Sequence, residues 1–555
     1  MITFISVIDN HKRLMFNNRR QTIMATSFFP KLPMPEGPNI TATEIEDWGE
    51  GHYVTTHSGV TKDDYNNYLV VLDELEYKKF ADNGEGLGGT VFNATYTKGK
   101  WAVTVIYMAK REMMSVSVCF DKPLSERLIY KDEYVKDNIP GAKTKLHMLE
   151  LWWLGNSFVL QLKNGHFIIS DGGTKEDAKY LMDYLYSLTP EGEKPVIEAW
   201  LISHGHSDHC GVIAELLNLP SDTFYLEGIY FNASGETMLK KEQYSRMDAA
   251  WMHFVTKVFK KQDGTSAEFY RPQTGQRLYF SDISIDVVHA QEQLILEEAT
   301  ADINDCSTWF MLNIEGQKVL LTGDGENGCQ KTIMANYNRD YLDLDMMTLM
   351  HHGFNTHDYF TDYCKLKTLL VTAKDVTPVR QANENNYLKS KVEEHFSWGD
   401  GAKVMTFPYT VGSYETLPKN QWIYHDRYTR REQWNIYRYW KGHHKKEIQS
   451  LRINGVGTTL APAVLLQKIH EHLPLAITDD GTLINLVIDK SLDADKKYKI
   501  EFNYHREAPI RGVSDCGMYG FIIRAIDEET LYEAIDVFVN TADWSDRGFT
   551  AKLVE

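Results

Sequence analysis

Six residues, His204-Gly205-His206-Ser207-Asp208-His209, hold three imidazoles and one carboxylate. The apolar run Val196-Ile197-Glu198-Ala199-Trp200-Leu201-Ile202 precedes them and predicts a buried strand. Cys210 to Leu217 follows and reads as the first turns of a helix. The cluster therefore falls on a strand-to-helix loop, where side chains can converge on one point. His204 and His206 are two apart, so in an extended segment they share a face and can grip one ion. Asp208 and His209 come just after the chain bends and can aim at a second ion. Neutral imidazole and carboxylate suit zinc, and also iron or manganese. The alternative is a histidine-rich polar surface loop, but such a loop rarely carries this order.

The hexapeptide resembles the His-x-His-x-Asp-His signature of the metallo-β-lactamase-fold hydrolases. That resemblance implies an α/β fold, an αββα sandwich with a metal site at one edge of its two sheets. Other motifs of the family follow in order. Strand-like runs Leu149–Trp153, Ser157–Leu162 and His166–Ile169 lead to Asp171-Gly172-Gly173-Thr174, which resembles the first motif. Its Asp, by the resemblance, orients the metal loop through hydrogen bonds and is not a ligand. A helix from Lys175 to about Leu188 comes next. Leu320-Leu321-Thr322-Gly323-Asp324 resembles the fourth motif, in which one carboxylate bridges two cations with its two oxygens. An Asp capping the next helix is the alternative. His351-His352-Gly353, after the apolar strand Leu344–Met350, resembles the fifth motif. It implies that His351 is a ligand of the second metal and that His352 supports it or touches substrate, with the reverse order as the alternative.

The third motif departs from the family. Where a histidine is usual, the chain reads Asn304-Asp305-Cys306-Ser307. Together with the fourth and fifth motifs this resembles one branch, the competence-type DNA-uptake nuclease domains (ComEC-like) and the phosphorylcholine-esterase-like hydrolases. The branch implies fewer histidines on the first metal, with Asp305, Asn304 or His289 as candidates to reach it. The implied set is His204 and His206 on the first ion, Asp208, His209 and His351 on the second, and Asp324 across both. Asp208 and His352 are the candidate catalytic groups, and Asp171, Asn304, Asp305 and His289 are possible ligands or supports. Two divalent ions are expected, zinc first, with manganese or iron as alternatives.

The expected function is a metal-dependent hydrolase, with a metal-bridging hydroxide acting on a phosphodiester or phosphate ester. The alternatives are a lactamase- or lactonase-type hydrolase of C–N or C–O ester bonds, and a non-catalytic binding protein with a vestigial metal site. Loops Glu227–Gln262, Gln291–Asp302 and Phe354–Asp362, with His357, are expected to wall the pocket.

A chain of 555 residues exceeds one ordinary domain. The expected organisation is an N-terminal extension (1–29), a small α+β accessory domain (30–130), the catalytic sandwich (145–425), a linker (426–452) and a small α+β C-terminal domain (453–555). In the accessory domain Thr61 caps a helix from Lys62 to about Glu76, followed by strands at Thr90–Tyr96, Trp101–Met108 and Met113–Phe120. Residues 229–261 read as helical or mixed, with His253 on an apolar stripe. Lys367–Ala373 reads as a strand, Asn386–His395 as a helix and Lys403–Pro408 as a strand. Near the C-terminus, Ile484–Ile488, Lys497–Tyr504 and Met518–Ile526 read as strands, and Asp527 caps a helix through Phe538.

The formal charge of -18, from 77 acidic against 59 basic residues, argues against a general nucleic-acid-coating surface. One stretch, His425 to Lys446, interleaves Arg and Lys with Tyr and Trp and could hold a nucleic-acid strand. Packing of those aromatics on a neighbouring domain is the favoured reading. No apolar run reaches membrane-spanning length. Met1 to Ala25 lacks a signal-peptide apolar core, and Met24 is an alternative start. Six cysteines without a CxxC pair point to a reducing cytoplasm. The expected partner is a small-molecule or phosphoester substrate, without a membrane.

Overall fold

A computed structural model describes residues 51–151, 155–216, 223–232, 259–290, 304–353, 358–372, 390–398, 401–418, 448–477, 482–490, 497–506 and 517–551, with residue 492 and scattered positions between 32 and 47. The N-terminal extension, the segment through His253, the stretch 425–446, His357 and most of the three wall loops lie outside the described residues. The described residues fall into two compact units, 32–418 and 448–551.

The first unit opens with β1 (His52–Ser58), α1 (Lys62–Glu74), β2 (Val91–Lys98), β3 (Trp101–Met108) and β4 (Met113–Phe120). Thr61 Oγ1 accepts from the Asp64 backbone N–H at 3.2 Å, and the Asp64 carboxylate accepts from the Thr61 N–H at 2.9 Å. This reciprocal box starts α1. Its Tyr65, Tyr68 and Leu72 are buried against Val103, Val105, Val116 and Val118 of the sheet. The strands pair antiparallel in the order β1-β4-β3-β2. Leu87, Val91, Ile106 and Met108 belong to the same buried cluster as Val288, Trp309, Tyr337 and Tyr341 further along the chain. Asn93 and Asn83 donate to the Thr274 and Gly275 carbonyls, each at 2.8 Å. The N-terminal sheet is thus built into the core that carries the later strands.

Next come β5 (Lys145–Met148), β6 (Ser157–Gln161), β7 (Phe167–Asp171), α2 (Ala178–Leu188), β8 (Val196–Ile202), α3 (Ser207–Leu216), β9 (Gly228–Phe231) and β10 (Glu268–Tyr270). The second half holds β11 (Arg277–Phe280), β12 (Ile283–His289), β13 (Trp309–Ile314), β14 (Gln317–Leu321), α4 (Asn327–Asn336), β15 (Asp343–Thr348), β16 (Lys365–Val371), β17 (Glu394–Ser397) and β18 (Lys403–Thr406). One sheet runs β10-β9-β8-β7-β6-β5-β18, the other β11-β12-β13-β14-β15-β16-β17. Together they form the αββα sandwich. All seven residues of β8 are buried, because β8 pairs in parallel with both β7 and β9. A strand covered on both faces reads as a continuous apolar run. Its one acid, Glu198, is matched by Arg127 at 3.0 Å and His166 at 2.9 Å.

Two expectations need correction. The strand expected at Leu149–Trp153 lies just ahead, as β5, where Leu146 and Met148 are buried against β6 and β18. Glu394 and His395, expected as the last residues of a helix, instead open β17, parallel to β16. Phe396 alone is buried there, and one inward residue in four is too short a signal to separate a strand from a helix.

The second unit contains β19 (Ser450–Val456), α5 (Ala461–His472), β20 (Thr482–Ile488), β21 (Tyr498–Arg506), β22 (Gly517–Ala525) and α6 (Glu528–Asn540). Parallel β19, β20 and β22 are flanked by antiparallel β21. Leu465 and Ile469 of α5 and Leu531, Ile535 and Phe538 of α6 share one core with Ile484, Leu486 and Ile523. Asp527 caps α6 by accepting from the Thr530 N–H at 2.8 Å. Among the described residues, no helix is long and apolar enough to cross a membrane.

Candidate metal centre

Parallel pairing sets Ser170 of β7 opposite Leu201 of β8, so the carboxyl ends of both strands lie side by side. Asp171 ends β7 in a left-handed conformation, φ 57°. Its Oδ1 accepts from the Ser203 backbone N–H at 2.8 Å, and its Oδ2 from the Ser203 hydroxyl at 2.9 Å and His209 Nδ1 at 2.8 Å. The carboxylate thus fastens the loop after β8 at both ends. Asp208 and His209 lie in the first turn of α3, inside the helix rather than on the loop before it.

The second sheet meets this loop from the other side. The Thr308 N–H donates to the Ser203 carbonyl at 2.8 Å. After β14 the chain turns through Gly323, φ +52°, where an added Cβ would lie 2.6 Å from the Ser203 Cβ. Only glycine permits both that backbone and that approach. Asp324 follows, and its N–H donates to the Ser307 hydroxyl at 3.1 Å. Beyond β15, His351 and His352 are both left-handed, with φ 46° and 54°. Such conformations in bulky residues cost energy and concentrate at functional sites.

The side chains converge in two groups. Asp208, His209, Asp324 and His352 form one, and His204, His206 and Asp324 the other, with the ligand atoms of each within 4.8 Å of one another. Asp324 belongs to both. Its Oδ1 is 3.0 Å from His209 Nε2 and 3.4 Å from His352 Nε2, and its Oδ2 is 3.8 Å from His204 Nε2. His352 Nε2 is also 3.3 Å from Asp208 Oδ2, and His204 Nε2 is 3.0 Å from His206 Nδ1. His209 Nε2, His352 Nε2 and Asp324 Oδ1 are buried, converge, and have no hydrogen-bond partner among the described residues. Buried polar atoms normally have partners, and a cation in the middle would satisfy all three.

The outward nitrogens of three of the four rings are held. His209 Nδ1 meets Asp171, His352 Nδ1 meets the Thr372 carbonyl at 3.1 Å, and His204 Nδ1 meets the Ser203 and Ser307 hydroxyls at 3.1 and 3.3 Å. Holding one nitrogen aims the other inward, the arrangement that supports metal-ligating histidines. The charge balance agrees. Burial alone would push His352 down, but the neighbouring carboxylates of Asp324 and Asp208 hold it at about 9. Burial would likewise raise Asp324 and Asp208, but His209 and His352 hold both carboxyls below the usual range. His204 goes the other way, lowered by burial and by His209.

Residues 151–278, which include β7, the hexapeptide and α3, match the family model of the metallo-beta-lactamase superfamily. The chain carries a metallo-beta-lactamase superfamily domain. A hydroxyacylglutathione hydrolase of Shewanella loihica is 35% identical over 97 residues, which are 16% of this chain and 34% of the relative. The chain thus spans about a third of that relative's length. Zinc-bound PqqB of Methylobacterium extorquens aligns over 44% of this chain and 85% of its own, at 10% identity and TM-score 0.29. A Cronobacter sakazakii metallo-beta-lactamase with an HARLDQ motif aligns over 36% and 73%, at 14% identity and TM-score 0.24.

Beyond the matched residues, the tandem histidines stand in the alternative of the two orders given for them. His352, not His351, stands in the four-residue group, because the left-handed pair turns the second ring into the core. His351 instead points Nδ1 at Glu326 Oε1, 2.7 Å away. Three other candidates, Asp305, His289 and Asn304, lie outside both groups. Asp305 accepts from the Gly328 and Cys329 N–H groups at 3.2 Å each, satisfying the start of α4. His289 is buried in β12, and burial pushes it down to about 3. Asn304 donates to Glu326 Oε1 at 3.4 Å. Sequence reasoning did not single out Ser203, Ser307, Glu326 or Thr372. Ser307 had a signal, since it closes the segment where the family usually has a histidine.

Proposed function

We propose that this protein is a metal-dependent hydrolase with two divalent cations, one held by Asp208, His209, Asp324 and His352 and the other by His204, His206 and Asp324. One observation carries the reading: the two oxygens of buried Asp324 face different histidine groups. Bound cations would supply an activated water near neutral pH and polarise the bond to be cleaved. The protein's own groups do the positioning. Asp171 fixes the His209 ring, and Ser307 spaces Asp324 from His204. Asp208, a quarter exposed where its neighbours are sealed, is the carboxylate that faces incoming substrate. Zinc is the first expectation from the nitrogen and oxygen donors.

The substrate we favour is a phosphodiester or phosphate ester. Support comes from Ser307 standing in place of a third histidine, from the resemblance to the competence-nuclease and phosphorylcholine-esterase branch, and from the suitability of paired cations for phosphoryl centres. A second reading, hydrolysis of an acyl thioester or other acyl bond, is favoured by the stretch shared with the hydroxyacylglutathione hydrolase. None of the five described cysteines is in a disulfide, which suits a reducing cytoplasm.

The test is hydrolysis of bis-p-nitrophenyl phosphate, nitrocefin and an acylglutathione thioester by zinc- or manganese-loaded protein. Turnover of the phosphodiester that falls more than about a hundredfold in Asp324→Ala, beyond the loss of a supporting contact, supports the proposal. Turnover of the acyl substrates alone moves the protein to the second reading. Bound metal without turnover of any would leave a binding protein.

A further inference from the structure

The adjacent histidines 351 and 352 face different oxygens of Asp324. His352 Nε2 lies 3.4 Å from Oδ1, the oxygen that also faces His209, whereas His351 Nε2 lies 3.8 Å from Oδ2, the oxygen that faces His204. The two left-handed residues produce this divergence, sending one ring into the core and leaving the other at its lip. Their exposures follow, 2% for the His352 side chain and 23% for His351.

The His204–His206 group is the poorer in donors, with two imidazoles and a share of one carboxylate. Ser307 stands beside His204 where the family usually places a third histidine. His351 carries the support that ligating histidines have. Its Nδ1 meets Glu326 Oε1 at 2.7 Å, and Asn304 donates to that same oxygen at 3.4 Å. The carboxylate fixes the tautomer and leaves the Nε2 lone pair toward Oδ2. As the side chains lie, His351 stands outside the three-residue group, with its Nε2 3.8 Å from the Asp324 oxygen that faces His204.

We propose that the tandem histidines divide between the two ions: His352 serves the ion with Asp208, His209 and Asp324 Oδ1, and His351, positioned by Glu326, supplies the third imidazole to the ion with His204, His206 and Asp324 Oδ2. The inference rests on the two-ion reading above and deepens it. It also gives a role to the Asn304 segment, which acts through Glu326 rather than on the metal.

The experiment counts metal rather than turnover. Full-length protein and its variants are loaded with zinc, equilibrated against a chelator of known affinity and assayed by inductively coupled plasma mass spectrometry. Wild type is expected to hold two ions, and His206→Ala and His352→Ala one each. Adding His351→Ala to His206→Ala leaves that one ion in place, because both changes strike the same site. Adding it to His352→Ala strips the remaining ion. The reverse pattern, or an unchanged count in both doubles, overturns the division. Glu326→Gln, which keeps the shape of the side chain, is expected to weaken one of the two ions 10- to 100-fold. Equal affinity in that variant contradicts the positioning role. A wild-type protein that holds fewer than two ions sinks the two-ion reading itself, a result distinct from either failure in the variants.

Discussion

His209 donates through Nδ1 to Asp171 Oδ2 at 2.8 Å, and this bond decides which nitrogen of a fully buried ring faces Asp324. Asp171→Asn would leave the Ser203 contacts partly in place but offer the ring a weaker acceptor. Zinc affinity, measured by chelator competition, is expected to fall 10- to 100-fold with little change in far-ultraviolet circular dichroism. Unchanged affinity would make Asp171 a purely structural residue.

Metal removal should destabilise the unit that holds the site. A ligand at a thousand times its Kd stabilises the folded state by about 4 kcal/mol, so a chelator should lower the melting temperature of the sandwich. Loading should also release protons. Without a cation beside it, His352 is held at about 9 by Asp324 and so carries a proton at neutral pH, whereas a ligand imidazole must be neutral. Apparent affinity therefore rises with pH up to about 9 and falls as protons compete below it. Proton release at pH 7, followed by calorimetry in buffers of different ionisation heat, checks the sign.

The N-terminal sheet reaches into the sandwich through Lys110. Its Nζ donates to the Met334 carbonyl at 2.9 Å and the Tyr337 carbonyl at 2.6 Å, at the end of α4. A cation there satisfies orphan carbonyls and complements the helix dipole. Lys110→Met keeps the stem and removes the charge. It should cost about 1–2 kcal/mol in chemical denaturation while leaving zinc content unchanged.

Several buried imidazoles set an acid limit. His57 and His147 are pushed down to about 4 and His289 to about 3, each chiefly by burial. An unfolded histidine titrates near 6.5, so each of these takes up a proton on unfolding. Their contribution to stability is present above about pH 6.5 and is lost as pH falls toward the folded values. Neither ring nitrogen of His57 has a hydrogen-bond partner among the described residues. His57→Leu should therefore flatten the stability-versus-pH slope between pH 6 and 4.5 by about one proton. An unchanged slope would mean that His57 is protonated in the fold.

The metal loop, the Gly-Asp turn and the parallel strands behind them were legible because their signals are local. Seven buried residues in β8 and the spacing of His204, His206, Asp208 and His209 need no partner to be recognised. The order of His351 and His352 was not legible, because it depends on two left-handed residues that no propensity foretells. Asp305 is open between ligand and support in the sequence, and it holds the start of α4, a role its carboxylate serves with the same oxygens a ligand would use. The merging of the N-terminal sheet with the sandwich core was hidden as well. Leu87, Val91, Ile106 and Met108 look like ordinary strand residues until their partners arrive some two hundred positions later.

Zinc bound per chain in Asp324→Ala against wild type is the most direct measurement of whether one carboxylate joins two sites. Wild type should retain two ions after desalting, and the variant should lose affinity at both sites together while remaining folded. A variant that keeps one site at full affinity, or a wild type that never takes more than one ion, would contradict the account.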